Sequence, residues 1–244
     1  MSLSWHDLRC GYSDQTGIEI PNYQLNSNGL IAILGANGSG KTTILKTLCG
    51  LLKPQKGQVQ TSENPLWIST DLDWDLQLTP SDILDLYDIP AQARSEFILK
   101  LFNLNSVLNR RLSELSSGEK RRVALAVALC HRSSILILDE PTNFLEYRAR
   151  IHFAQQLNQL AQDKLILFST HEIEWLSLLP QAQCWIVGPD KKLLMLPNSE
   201  ALVENSQLVP IFGGVFRSFT RSSSPSQKIL YFDPVSSEPI RAPR

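Results

Sequence analysis

Gly35-Ala36-Asn37-Gly38-Ser39-Gly40-Lys41-Thr42 completes the pattern G-x-x-x-x-G-K-[ST]. The apolar run Leu30-Ile31-Ala32-Ile33-Leu34 precedes it, and Thr43-Ile44-Leu45-Lys46-Thr47-Leu48 follows. Strand, loop, helix is the setting in which such a loop cradles phosphate. Its glycines let the backbone N–H groups of Gly38 to Lys41 turn onto one anion, and the helix beginning near Lys41 adds its positive dipole end and unpaired donors. Lys41 then reaches the β and γ oxygens as a point charge, and the Thr42 hydroxyl takes a place on Mg²⁺, which prefers hard oxygen ligands. Gly35, Asn37, Gly38, Ser39, Gly40, Lys41, Thr42 and Thr43 are therefore the candidate nucleotide contacts. The competing reading is a plain glycine-rich turn, which the flanking strand and helix disfavour.

Outward from this loop, composition narrows the class. A chain of 244 residues suits one α/β domain with an embedded subdomain. A net charge of −1, with no block of like charges, argues against an electrostatic grip on nucleic acid or anionic lipid. No apolar run reaches the length of a bilayer span, and Met1-Ser2-Leu3-Ser4-Trp5-His6 lacks a basic-then-apolar leader. The expectation is a cytosolic protein. Cys10, Cys49, Cys130 and Cys184 are scattered in apolar surroundings and read as buried reduced thiols rather than metal ligands or disulfides.

Residues 3–8 and 16–25 alternate in the manner of antiparallel strands at a sheet edge. Tyr12, in the turn between them, is either an adenine-stacking aromatic or an ordinary half-buried loop tyrosine. After the helix that follows Lys41, a turn at 53–57 leads to a strand pair around 58–61 and 65–69. From 71 to about 132 the apolar spacing turns helical, and an inserted helical subdomain is the economical explanation. Ile135-Leu136-Ile137-Leu138 then returns to the central sheet as a strand buried on both faces. Asp139 and Glu140 follow at its carboxyl end, where ligands of open α/β sheets bind. Asp139 is placed to hold Mg²⁺ through water and Glu140 to orient or deprotonate the attacking water, with a helix N-cap as the alternative. A second buried strand, 165–169, ends in Thr170-His171-Glu172, where His171 either contacts the γ-phosphate or caps the next helix. Two short strands lie at 184–187 and 192–196, and 218–226 reads as a flexible tail segment.

Leu115-Ser116-Ser117-Gly118-Glu119-Lys120-Arg121-Arg122, a helix, and Ile135 to Thr142 resemble, in order and spacing, the signature and Walker B regions of ATP-binding cassette (ABC) proteins. The resemblance covers roughly residues 3–210. It implies a P-loop NTPase core with a mixed central sheet, N-terminal antiparallel strands and an inserted helical subdomain. An ABC ATPase domain would span 1–210, with its helical subdomain at about 71–133 and a C-terminal extension over 211–244. It further implies ATP hydrolysis with Mg²⁺ in a head-to-tail pair of copies, where Ser116 and Gly118 of one face the γ-phosphate on the Lys41 of the other. Tyr12 looks like the adenine-stacking aromatic, 143–146 like the segment touching the opposite copy, and His171 like the switch histidine.

Some positions depart from that pattern. Ser117 and Glu119 stand for the usual Gly and Gln, and Glu146 for the usual Asp. Thr70 stands where a Gln linking Mg²⁺ to the membrane partner is usual, with Gln77 as the other candidate. One short cassette implies a separate membrane permease, hence a place at the inner face of the cell membrane. Glu200-Ala201-Leu202, Ile211-Phe212-Gly213 and Asp233-Pro234-Val235 loosely resemble importer cassettes for iron chelates, haem or cobalamin. A haem-exporter-type cassette and a low-turnover regulatory dimer are the alternatives.

Overall fold

The computed structural model describes residues 2–12, 17–25, 28–69, 74–90, 94, 96–143, 145–188, 190–199, 217–220 and 228–231. Aliphatic runs form the middle of a six-stranded sheet. These are β4 (Gly29–Leu34), β7 (Ile135–Leu138) and β8 (Leu165–Thr170). They pair in parallel with β6 (Leu66–Ile68) on one side and β9 (Gln183–Val187) on the other, and β10 (Leu193–Leu196) closes the edge antiparallel to β9. The resulting order is β10-β9-β4-β8-β7-β6, a mixed sheet.

Side chains alternate across these strands, and the two faces receive different covers. Ile31, Ile33, Ile135, Ile137, Leu165 and Leu167 pack with Ile44, Leu45 and Leu48 of helix α1 (Lys41–Leu48). Leu30, Ala32, Leu34, Leu136, Leu138, Ile166 and Phe168 join the larger cluster on the other face. That cluster includes residues of helices α2 (Pro80–Leu86), α3 (Glu96–Leu101), α4 (Ser117–Cys130), α5 (Tyr147–Leu160) and α6 (Ile173–Leu176). A layer on each face is what strands without a polar side require.

The N-terminal alternation does not extend the edge of this sheet. Strand β1 (Leu3–Cys10) instead centres a separate antiparallel sheet with β2 (Ile18–Ile20), β3 (Tyr23–Leu25) and β5 (Lys56–Thr61). Its inward residues, among them Leu3, Trp5, Leu8 and Ile18, pack in the α1 cluster, so the half-buried pattern is satisfied by a second layer. For the same reason 58–61 and 65–69 are not a pair: β5 joins β1 while β6 joins β7. In the tail, β11 (Arg217–Thr220) and β12 (Lys228–Tyr231) form an antiparallel pair, so 218–220 is strand rather than flexible coil. Burial pushes the Cys10, Cys49 and Cys130 thiols up to about 11 and Cys184 up to about 12.

Sheet register delivers the site. Leu34 lies opposite Thr170 and Leu138 opposite Phe168, so Gly35, Asp139 and His171 all leave the sheet at its carboxyl edge.

Candidate functional site

Gly40 caps α1 with φ 109° and Gly38 has φ 76°, a region that side-chain-bearing residues enter rarely. A Cβ on Gly40 would overlap Ile18 Cδ1, so the loop also needs the bare backbone where β2 crosses it. Lys41 is buried, and its ammonium donates to the carbonyls of Gly35 (3.0 Å) and Ala36 (3.3 Å). It also lies 3.3 Å from Glu140 Oε1. A phosphate entering the loop would compete for that ammonium.

Thr42 Oγ1 donates to Asp139 Oδ2 at 2.8 Å, across 97 residues of chain. Two hard oxygens thereby meet at the carboxyl end of β7, a donor set suited to Mg²⁺. Ser39, 8% exposed, has an Oγ with no hydrogen-bond partner among the described residues. A buried hydroxyl without a partner is unfavourable by itself and fits a loop shaped for a polar ligand. Asn37 and Gly38 are exposed at the tip of the loop, and Thr43 is half-buried on α1.

Glu140 sits in the left-handed region at φ 47°. Its N–H donates to Ser169 Oγ (2.8 Å), while Oε2 is 2.9 Å from His171 Nδ1. The Ser169 hydroxyl in turn donates to Asp139 Oδ1, so one side chain of β8 ties the two acidic residues of β7. Buried Arg121 donates from Nη2 to the carbonyls of Asp139 and Glu140. Ser169, His171, Arg121 and Lys41 together hold Glu140 in a conformation that non-glycine residues seldom adopt. The helix N-cap alternative for this pair is not what forms: α5 begins at Tyr147, with Glu146 as its N-cap residue.

Tyr12 is 69% exposed, two residues beyond the Cys10–Ile18 pair that ends the β1–β2 hairpin. Ile18 abuts Gly40, so this end of the hairpin lies by the phosphate loop and the tyrosine is not half-buried.

The expected signature residues lie elsewhere. Ser116 is the N-cap of α4 and closes a capping box: its N–H and Oγ donate to Glu119 Oε2 (both 2.8 Å), and Glu119 N–H donates to Ser116 Oγ (3.2 Å). These bonds hold the Glu119 carboxyl below its usual range. Ser116 is exposed and Gly118 half-buried in the first turn. Of the two candidates for the Mg²⁺-linked Gln, Thr70 falls outside the described residues, whereas Gln77 Oε1 accepts from Arg111 Nη1 (3.2 Å).

Sequence reasoning assigned no role to Arg121, Ser169, Arg150 or Lys191. Arg150 Nη1 pairs with Glu172 (2.7 Å), and its Nε donates to the Leu145 carbonyl (2.8 Å). That links the segment after Asn143 to the residue following His171. Arg121 stands inside the quoted signature stretch, and Ser169 ends the strand before His171, but neither spacing announces its partner.

A family model described as "ABC transporter" matches residues 18–143, just over half of the chain. A relative from Yersinia pestis, named a chelated iron transport system membrane protein, is 28% identical over 233 residues, covering 86% of this chain and 78% of its own. The zinc import ATP-binding protein of Acinetobacter baylyi is 28% identical over 199 residues, with 79% of this chain and 75% of that one covered. Among solved structures, an ABC transporter described as of metal-chelate type and inward-facing superposes with a TM-score of 0.76 at 20% identity, covering 97% of this chain and 98% of that one. At that identity it speaks for the fold alone.

Proposed function

The chain belongs to the ABC transporter family, as one of its ATP-hydrolysing subunits, and from that premise we propose that two copies close head to tail on two Mg·ATP and drive a permease that imports a metal or metal chelate. The carrying observation is the convergence of Lys41, Thr42, Asp139, Glu140 and His171 at one sheet edge. Lys41 and the N–H groups of Gly38, Gly40 and Lys41 bind the β- and γ-phosphates, while the Ser39 N–H, expected to join them, is held by the Ala36 carbonyl. Thr42 and Asp139 would hold Mg²⁺, which would supply neutralisation of charge on the phosphate oxygens. Glu140 takes a proton from a water whose oxygen bonds to the γ-phosphorus as the bond to the β–γ bridging oxygen breaks, giving ADP and phosphate. His171 fixes the second carboxylate oxygen. Tyr12 offers its exposed ring to adenine. Ser116 and Gly118 meet the γ-phosphate of the opposite copy, which accords with the exposure of Ser116 at the start of α4.

Support for the cargo comes from the two relatives named for chelated iron and zinc. No helix among the described residues is long and apolar enough to cross a membrane, which suits a partner that supplies the channel. Leu76 (48% exposed) and Leu86 (66%) are the apolar side chains proposed to meet that permease. Trp74 is instead engaged with Tyr87, its Nε1 donating to the hydroxyl at 3.3 Å, so changing it would disturb packing. With a partner permease co-reconstituted in vesicles, Leu76→Ser with Leu86→Ser should keep ATP affinity and lose ATP-driven uptake of iron chelate or zinc. Parental uptake by this variant, or equal loss of binding and uptake, would contradict the assignment.

A further inference from the structure

The turn between β9 and β10 sends one side chain back to the phosphate loop. Lys191 Nζ donates to the carbonyl oxygens of Ser39 (2.9 Å) and Gly38 (3.2 Å), across more than 150 residues of chain. We infer that Lys191 is a positioning residue of the nucleotide site, a second lysine that fixes the phosphate loop from behind while Lys41 serves it from within.

The loop has a reason to need this. Gly38 and Gly40 flank Ser39, and glycine backbones wander more freely than any other. In a trans peptide the N–H points opposite to the C=O. An ammonium that holds the Ser39 carbonyl outward therefore aims the Gly40 N–H inward, toward the anion. The Ser39 N–H is already committed to the Ala36 carbonyl at 3.0 Å, so the Ser39–Gly40 peptide is the one left to be fixed. A cation on the carbonyl also polarises the amide and strengthens its donor end.

The turn holds Lys191 in place at some conformational cost. Lys191 has φ 61°, unusual for a residue with a side chain. Its N–H donates to the Gly188 carbonyl (3.1 Å), and the Gly188 N–H donates to the Lys192 carbonyl (2.9 Å). Lys192, one residue on, provides the contrast: its side chain is 86% exposed and faces Asp190 at 3.6 Å, away from the loop.

The inference rests on the reading of Gly35 to Thr42 as the phosphate cradle, and the test separates the two. ATP and ADP affinities of the intact chain would be measured by calorimetry with Mg²⁺, alongside the thermal midpoint and kcat. Lys191→Met should weaken ATP and ADP alike, roughly threefold to tenfold, as expected for loss of hydrogen bonds to a charged group acting through the loop. kcat at saturation should hold within about twofold, because the catalytic carboxylate is untouched. Lys191→Arg should recover most of the affinity, and Lys192→Met should match the parent. Lys191→Gly should lose affinity yet keep or raise the thermal midpoint, since glycine accepts this φ without strain. Parental affinity in Lys191→Met, equal losses in Lys191→Met and Lys192→Met, or affinity and midpoint falling together in Lys191→Gly would each overturn the inference. If Lys41→Ala binds both nucleotides as the parent does, the cradle reading itself fails; if Lys41→Ala weakens binding while Lys191→Met does not, only the role of Lys191 fails.

Discussion

At the carboxyl edge of the central sheet, Thr42, Asp139, Glu140, Ser169 and His171 bond to one another inside a single chain. At the start of α4, the Ser116 hydroxyl and N–H turn back on Glu119, three residues on, and Gly118 stands beside it in the first helical turn. The first region is finished by sheet register, which brings together residues 29 to 97 positions apart. The second is a short-range capping box that gives a helix a clean start and leaves its donor end turned outward. One set of residues is organised around its own chain, and the other is available to something beyond it. Arg121 joins them: about one and a half turns after Ser116 on the same helix, it grips the carbonyls of Asp139 and Glu140.

Glu140→Gln attacks the finished region and carries the largest expected effect. The amide keeps size and hydrogen bonding but loses the basic oxygen, so turnover should fall on the order of 10²- to 10⁴-fold while ATP affinity stays near parental. Steady-state ATPase with calorimetry checks it; parental turnover would place the base elsewhere and break the comparison at its stronger end.

Arg121→Lys acts on the strut. Lysine keeps the charge but is one atom shorter and lacks the guanidinium plane that carries Nη2 to the carbonyls of Asp139 and Glu140. Turnover should drop roughly tenfold with ATP affinity little changed, as expected when a hydrogen bond to a charged group is lost away from the ligand. A loss of affinity equal to the loss of turnover would mean that Arg121 supports the whole loop rather than linking the two regions.

Ser116→Ala has the smallest effect and reports the local nature of the second region. Losing an N-cap hydroxyl should lower stability by ~0.5–2 kcal/mol, read as a modest fall in thermal midpoint. Glu119, with its carboxyl held below the usual 4.5 by Ser116, stabilises the folded chain fully above that value and loses the contribution as pH falls through its lowered folded pKa. The gap between parent and Ser116→Ala should therefore narrow as pH is taken from about 7 to about 3. A gap that widens on acidification would show that the capping box is not what Ser116 contributes.

The parts of this arrangement differ in how plainly the sequence announces them. The aliphatic runs of β4, β7 and β8 read directly as buried strands, because a strand covered on both faces has no room for polar residues. The glycine spacing of Gly35 to Thr42 reads as directly, since few backbones other than a phosphate loop need it. Alternation in 3–8 and 16–25 correctly marks strands with one wet face, but period two is silent on partners, and so the second sheet and the separation of β5 from β6 were not legible. Ser169, Arg121 and Lys191 act through contacts between distant segments, and nothing local distinguishes them from any strand-end serine, helix arginine or turn lysine. The sequence leaves Tyr12 open between two readings, and its 69% exposure removes the half-buried one.

The region around Ser116 is proposed to be completed by a second copy across the nucleotide. Sedimentation of Glu140→Gln with saturating Mg·ATP tests it most directly, because blocked turnover lets the closed pair accumulate. The account predicts a species of twice the 27.4 kDa of one chain that appears with ATP and not with ADP. It also predicts that adding Gly118→Asp, which sets a carboxylate against the γ-phosphate, returns the chain to a monomer that still binds ATP. A Glu140→Gln chain that stays monomeric with ATP bound, or a pair that survives Gly118→Asp, would contradict it.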